Sequence, residues 1–447
     1  MQQKIFRPKS IHFIGICGVT MAPLAVLYKQ MGWRVTGSDR AFFPPMSTYL
    51  EKNGIVIMPG FKENHLNPHP DLVLVMAFIT DKNPEVVAAR KLNIPIRVYA
   101  DVLPELIEKE NSVVIAGDCG KTSTTALIAW VLEMGGYNPN FMIGGIAKNF
   151  EHGIRRTDSD WSVLEGDEYP ASSWNNTPRF LSYNPRYLIL TGIHWDHMDK
   201  YPSATKYLNI FRELVRRVPR DGMVIAHKND VNVQEILKDK SIGAKILFYS
   251  AVDSREFSLP FPGRVWQENC AAAIALARHL GIQDKIVKGA LATFLGLKRR
   301  QEVRFMSEGL SVIDDNAHTP VKVAGGLEAI SKMFAGYNLC VIYEPGNRSA
   351  SALMSYDYRK CFKLAEKIIL PQVSSASEEA RDFNKNLSAK IANFYKDCSY
   401  IDADHKVIAE IKEFVARERH GGRKAGIVFM SQKGFRGMIE ETIQKLR

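Results

Sequence analysis

The 447-residue chain lacks any uninterrupted apolar run of about 18 residues, the minimum for a helix that crosses a membrane. Its N-terminus, MQQKIFRPKS, leads straight into an apolar strand without the small-residue cleavage site of a secretion signal. Both absences predict a cytoplasmic protein with no membrane partner. Cysteine is sparse: Cys17, Cys119, Cys270, Cys340, Cys361 and Cys398 stand singly, with no CxxC pair and no ligand-like spacing to histidines. That pattern predicts reduced thiols and argues against structural zinc. There is no solenoid-period repeat, no low-complexity tract and no block of like charge. Lys and Arg (59) outnumber Asp and Glu (48), for a net charge of +11, yet the basic residues are dispersed without an interleaved aromatic stripe. Nucleic acid is therefore not expected as a partner, and phosphorylated small molecules are.

What the chain does have is apolar content, 46%, enough for the cores of roughly two to four domains. The first hundred residues alternate strand runs with helical ones, "SIHFIGI", "MAPLAVLYKQMG", "RVTGSD", "DLVLVMAF", "PEVVAARKLN", as βαβ units around a parallel sheet do. A second α/β series runs from "SVVIAG" through "WSVLEGDE", "YLILTGI" and "MVIAHK". A third comprises "LSVIDDNA", "LCVIYEP", "KIILPQV", "CSYIDA" and "AGIVFMS". We place the domain limits at 1–108, 109–297 and 298–447.

The second series opens with "VVIAGDCGKTSTTALIAW". Gly-x-x-Gly-Lys-Thr between a β-branched strand and a helix suits a phosphate cradle. Glycines admit backbone N–H groups, the helix start is electropositive, Lys121 reaches phosphate oxygens and the Thr122 hydroxyl suits Mg²⁺. Two residues separate the glycines where a Walker loop has four, and one of them is a carboxylate, Asp118. Near the N-terminus, "FIGICGVTM" also follows a strand and opens a helix, with Ser38-Asp39 ending the next strand. This loop misses the middle glycine of a dinucleotide fingerprint, and it supports a glycine-lined anion site. "LEGDEYPASSW" and "TGIHWDHMDKY" each follow a strand and offer Glu165, Asp167, Glu168, His194, Asp196, His197 and Asp199 as oxygen or imidazole ligands for Mg²⁺. "VIDDNAHTP" adds Asp314, Asp315 and His318, either as a loop that closes on a nucleotide or as a cap and turn.

In order and spacing, these segments together resemble the Mur ligase family of cell-wall enzymes over nearly the whole chain. The resemblance implies an α/β fold of three domains: a Rossmann-like N-terminal domain that binds UDP, a central P-loop ATPase domain with the short loop, and a Rossmann-like C-terminal domain. It further implies ATP and Mg²⁺ as cofactors. Gly117, Asp118, Cys119, Gly120, Lys121, Thr122 and Ser123 would form the ATP loop, with Asn269, Arg300 and Asp315 contacting the rest of ATP. Thr122 or Ser123 and Glu165 would hold one Mg²⁺ and His197 a second, making Lys121, Glu165 and His197 the catalytic set. Gly15, Gly18, Ser38, Asp39, Asp167 and Glu168 would bind the UDP substrate.

Within the family, "IHFIGICGVTM" and "VTGSD" resemble the branch that takes UDP-N-acetylmuramate bearing no peptide. "FFPPMSTYLE", "KRRQEVR" and "MSQKGFRGM" resemble those members whose acceptor is a murein tripeptide, L-alanyl-γ-D-glutamyl-meso-diaminopimelate, more than those that use L-alanine. A monomer or weak homodimer is expected. Several positions depart from the family pattern. Asp118 and Cys119 replace the usual middle pair of the loop, and Gly192 stands where an asparagine is common. Val265-Trp266 replaces a polar pair, suggesting adenine stacking on Trp266, and Thr319 stands for a second histidine. Two other classes stay open: a nucleotide-sugar-binding protein that has lost catalysis, and a nicotinamide-dependent oxidoreductase using the N-terminal loop and Asp39.

Overall fold

The computed structural model describes residues 9–42, 44–195, 200–346, 350–372 and 378–447. They fall into two compact units, one within Met1–Asp196, Ser203–Ser250 and Ala272–Ala290, the other within His197–Pro202, Ala251–Ala271 and Leu291–Arg447.

The first unit holds two sheets. Strands β1 (Ser10–Ile14), β2 (Arg34–Asp39), β3 (Val56–Pro59), β4 (Leu72–Val75) and β5 (Ile96–Val98) pair in parallel in the order β3-β2-β1-β4-β5. The strand order reverses at β1, so a crevice opens beyond the carboxyl ends of β1 and β4. There the loop after β1 passes so close to Met76 that a Cβ on Gly15 (φ +84°) would lie 2.9 Å from the Met76 Cβ.

The second sheet contains β6 (Asn111–Ala116), β7 (Asn140–Met142), β8 (Ile154–Arg155), β9 (Trp161–Gly166), β10 (Tyr187–Leu190), β11 (Met223–His227) and β12 (Lys245–Tyr249), in the order β12-β11-β10-β6-β9-β7-β8. Only β8 runs antiparallel. Because Ala116 pairs with both Gly166 and Leu190, the ends of β9, β6 and β10 lie level. Three loops far apart in the chain thereby meet at one edge. The helix Lys121–Met134 leaves this edge with Thr122–Ala129, Val131 and Leu132 buried. Burying each Leu or Ile contributes about 1.5–3 kcal/mol, so the loop that precedes the helix is held on a stiff support.

In the second unit, β13 (Glu302–Ser307), β14 (Leu310–Asp315), β15 (Tyr337–Glu344), β16 (Lys367–Pro371), β17 (Cys398–Ile401) and β18 (Lys424–Ser431) form a sheet in the order β13-β14-β18-β15-β16-β17. Only the edge strand β13 is antiparallel. Alternate residues face opposite cores: Ile313, Val341, Tyr343, Val428 and Met430 one way, Val312, Cys340, Ile342, Ile427 and Phe429 the other. Two-sided burial explains why these strands read as continuous apolar runs in the sequence.

Candidate active site

At the level edge of the second sheet, Gly117 (φ +138°) passes against β10's exit. A Cβ there would lie 2.1 Å from Thr191 Oγ1 and 3.0 Å from the Gly192 carbonyl, so no other residue fits. The Asp118 and Cys119 N–H groups donate to the Gly192 carbonyl at 2.8 and 3.4 Å. Gly120, left-handed at φ +83°, turns the chain into the helix. The ammonium of Lys121 donates to the Gly117 carbonyl (2.5 Å) and to Glu168 Oε2 (2.7 Å). Beside it the Thr122 hydroxyl donates to Glu165 Oε1 (2.9 Å), and the Gly144 N–H donates to Glu165 Oε2 (2.7 Å). Burial raises the Glu165 carboxyl above its ordinary value, against the opposing pull of Lys121 and these two hydrogen bonds.

A buried carboxylate beside a hydroxyl is a hard oxygen donor set, which fits Mg²⁺. Thr122 is the hydroxyl that reaches Glu165, and Ser123 is buried in the same helical turn. His197, expected as the second metal ligand and as part of the catalytic set, lies with Asp196 and Asp199 outside the described residues.

Two assignments to the UDP substrate change. Glu168 is buried, with its carboxylate on the Lys121 ammonium of the glycine loop rather than turned toward the N-terminal loop. Asp167 is engaged by the buried Arg179 guanidinium and accepts from the Tyr169 N–H at 3.0 Å. Arg179 also lies over the rings of Phe78, Tyr99 and Tyr169. Asp167 thus helps anchor the loop after β9 against segments of the first sheet.

In the N-terminal loop, the Gly15 and Ile16 N–H groups donate to the Ser38 carbonyl (2.8 and 3.1 Å). The Cys17 N–H donates to Asp39 Oδ2 (2.9 Å), and the Arg40 N–H donates to Asp39 Oδ1 (2.7 Å). Asp39 therefore braces the loop. The Ser38 side chain is corrected as a ligand contact: it is fully buried, and its hydroxyl donates to Glu85 Oε2 at 2.5 Å. Gly18 lies half-buried near the Met76 sulfur, so a larger residue would crowd it.

In the second unit, Asp315 is buried at the end of β14 and accepts from the Gln301 and Ala317 N–H groups (3.0 and 2.7 Å) and from the Gln301 side-chain amide. Burial raises its carboxyl, while Arg300 and these hydrogen bonds pull the other way. Asn269 is buried and Arg300 half-buried. Adenine stacking on Trp266 is ruled out by placement. The ring is 1% exposed, packs on Phe261 and Phe294, and donates from its indole N–H to Gln301 Oε1 at 3.0 Å. His318 is buried, with Nδ1 2.7 Å from the Asn316 carbonyl, as in a turn.

The sequence reading missed Gly144, the Gly192 carbonyl and Gln301 as partners. The first follows a strand in "MIGGIAK", a glycine pair that hints at a close approach; the other two give no local signal. It also found no ligand-like relation between cysteine and histidine. Folding supplies one, because Cys119 Sγ lies 3.2 Å and His194 Nδ1 3.9 Å from Asp118 Oδ2.

A short glycine loop with its lysine and hydroxyl, flanked by one carboxylate on the adjacent parallel strand and one in the loop after it, defines a nucleotide-phosphate-binding α/β protein. Residues 10–111 match the Mur ligase family, catalytic domain, and residues 115–255 match the Mur ligase middle domain. The chain belongs to the Mur ligase family. It is 33% identical over 386 residues to UDP-N-acetylmuramate–L-alanyl-gamma-D-glutamyl-meso-2,6-diaminoheptandioate ligase of Escherichia coli, covering 81% of this chain and 84% of the relative. It is 30% identical over 432 residues to UDP-N-acetylmuramate–L-alanine ligase of Sinorhizobium medicae, covering 89% of each. The crystal structure of a murein peptide ligase from Psychrobacter arcticus shares the fold, with a TM-score of 0.75 at 24% identity over 98% of both chains. Family membership sets aside the nicotinamide-dependent oxidoreductase.

Proposed function

We propose that the chain is an ATP-dependent ligase that joins the lactyl carboxylate of UDP-N-acetylmuramate to the amine of L-alanyl-γ-D-glutamyl-meso-diaminopimelate, in peptidoglycan recycling. The carboxylate attacks the γ-phosphorus of ATP and ADP leaves. The resulting acyl phosphate is attacked at carbon by the amine, which loses a proton as phosphate departs. The observation that carries this reading is Lys121, held between the Gly117 carbonyl and Glu168 next to the Thr122–Glu165 pair. Both acceptors are ones that a phosphate can displace, and the freed ammonium then stabilises charge moving between phosphate oxygens. Thr122 and Glu165 would hold Mg²⁺, which when bound neutralises γ-phosphate charge. Gly15, Gly18 and the Asp39-braced loop would take the UDP moiety, and Asn269, Arg300 and Asp315 the adenine, phosphate and ribose parts of ATP. The domain limits 1–108, 109–297 and 298–447, a cytoplasmic location and a monomer or weak homodimer belong to the same proposal.

The tripeptide is preferred to L-alanine on a local observation. Arg299, in "KRRQEVR", donates to the Ser431 and Gln432 carbonyls (2.5 and 3.1 Å), in "MSQKGFRGM". Two of the tripeptide-like segments thus form one structural feature. An ADP-release assay with UDP-N-acetylmuramate tests both levels. Turnover with the tripeptide well above that with L-alanine is expected, the reverse preference assigns the chain to L-alanine, and no turnover with either overturns the ligase reading.

A second reading, UDP-sugar binding without catalysis, is favoured by the Gly192 carbonyl that occupies the Asp118 and Cys119 N–H groups. Calorimetry that detects UDP-N-acetylmuramate but no ATP would support it.

A further inference from the structure

The two residues between the loop glycines and the first imidazole of the neighbouring loop form a donor set whose side chains have no part in the reaction proposed above. Asp118 Oδ2 lies 3.2 Å from Cys119 Sγ and 3.9 Å from His194 Nδ1, and one ligand atom from each residue falls within 4.8 Å of the others. We propose that Asp118, Cys119 and His194 form a binding site for a borderline-soft divalent ion of the Zn²⁺ class, which when filled locks the phosphate loop. The donors are one oxygen, one sulfur and one nitrogen. With metal–ligand distances of about 2.3 Å to sulfur and about 2.0–2.2 Å to nitrogen and oxygen, tetrahedral angles separate the ligands by roughly 3.3–3.6 Å. The two measured separations bracket that range. Mg²⁺ is disfavoured here because it takes oxygen ligands in octahedral geometry, whereas thiolate and imidazole select the later metals.

Backbone geometry preorganises the set. Cys119 and Gly192 form an isolated antiparallel bridge, which sets the Asp118-Cys119 pair beside the chain leading to His194. The Cys119 thiol donates to the buried Asp118 carboxylate, so the metal would replace a shared proton and release it. His194, with a side chain 47% exposed, lies on the solvent side and gives an entry path. An ion across these three residues would tie the phosphate loop to the loop after β10, keeping the Asp118 and Cys119 N–H groups on the Gly192 carbonyl and away from a nucleotide. The site stands on its own donor atoms. Only its effect on ATP rests on the phosphate-loop reading.

Co²⁺ titrated into the tag-free full chain tests the site directly. One equivalent should produce a near-ultraviolet thiolate-to-cobalt charge-transfer band with the intense visible bands of four-coordinate cobalt, bleached by stoichiometric Zn²⁺. Cys119→Ser should lose the charge-transfer band, and Cys398→Ser should keep it. His194→Ala should weaken Co²⁺ at least as much as the roughly 10–100-fold loss on removing an outer-shell partner. Circular dichroism identical to that of the parent separates ligand loss from misfolding. No band at one equivalent, or a band that survives in folded Cys119→Ser, overturns the site. Calorimetry of ATP binding with one equivalent of Zn²⁺ then tests the lock. A weakened affinity in the parent but not in Cys119→Ser supports it, and an unchanged affinity in Zn²⁺-loaded parent overturns the lock while the cobalt result decides the site.

Discussion

Two glycine loops of the same topological design sit in the first unit, each leaving a strand where its sheet reverses order and each opening a helix, yet the glutamates buried beneath them are held in opposite ways. The N-terminal loop gives its N–H groups to the Ser38 carbonyl and the Asp39 carboxylate, and the serine beneath it bonds to a buried glutamate, Glu85. Burial pushes the Glu85 carboxyl up, but hydrogen bonds and charge from His12, the Ser38 hydroxyl and the Lys62 N–H hold it, in net, below its ordinary value. His65 Nδ1 lies a further 2.6 Å away. The central loop also sits over a buried glutamate, Glu165, but there burial wins and the carboxyl is raised. The difference shows where a site keeps something in reserve. Both loops have N–H groups taken by neighbouring groups, Gly15, Ile16 and Cys17 in the first and Asp118 and Cys119 in the second, but the glutamate under the first is fully matched by donors. The second leaves a buried carboxylate short of positive charge and a lysine shared with Glu168, a state that a bound cation and phosphates would relieve.

The sharpest way to break this comparison is to remove the shared cation. Lys121→Ala should abolish ADP release, a loss of about 10²–10³-fold or more, the scale on which deleting one preorganised charge stabiliser acts. Turnover within tenfold of the parent would mean that the two loops differ only in decoration. Glu165→Gln comes next. Activity should fall about 100-fold, the lower end of that range. Thermal stability at neutral pH should hold or rise, because a group whose folded pKa is raised contributes stability only at low pH and is a cost once ionised. A melting curve that drops sharply would show that the Glu165 carboxylate is a structural anchor.

The contrast between the loops was only half legible in the sequence. Strand, Gly117, Gly120, Lys121 and Thr122 are contiguous and depend on local order, so the strand–glycine-loop–helix turn and the α/β class could be read directly. The place of Glu165 beside the loop was readable because an acidic residue ending an apolar strand falls at the carboxyl edge of a parallel sheet. Glu168 on Lys121, Gly144 on Glu165 and Gly192 on the loop join segments separated by whole strands, and pairing order alone brings them together. Ser38 and Trp266 were misjudged for another reason. Their sequence neighbourhoods look like loop edges, and only packing shows that one hydroxyl and one indole point inward.

A stability measurement separates the two glutamates further. Glu85→Gln should cost about 1–3 kcal/mol at neutral pH, the penalty for leaving buried hydrogen-bonding partners imperfectly matched, whereas in Glu165→Gln relief of the buried charge offsets that penalty. The sign with pH is opposite to that of a raised group. A carboxyl held low stabilises the fold above its unfolded value of 4.5 and loses that contribution as pH falls through its folded value, below 4.5. Denaturant titrations of parent and Glu85→Gln should therefore converge in acid. A gap that stays constant from neutral pH into acid would place the loss in packing and remove Glu85 from the comparison.

The smallest expected effect concerns the carboxylate that makes the central loop unusual. Asp118 is buried toward the Gly192–His194 side, with Cys119 Sγ donating to it, while Lys121 holds Glu168 and the Gly117 carbonyl. An anion placed there repels incoming phosphate without supplying a contact that the proposed reaction uses, and the Asp118 and Cys119 N–H groups, which would have to leave the Gly192 carbonyl to cradle a phosphate, belong to the backbone whatever the side chain. Asp118→Thr should therefore leave ADP release unchanged or raise it, about one- to fivefold, which corresponds to less than about 1 kcal/mol. Initial rates at saturating and limiting ATP locate the change: relief of ground-state repulsion lowers the KM for ATP, and relief in the transition state raises kcat. A fall of tenfold or more would give the carboxylate a part in turnover and would make the central loop, like the N-terminal one, dependent on an acidic brace.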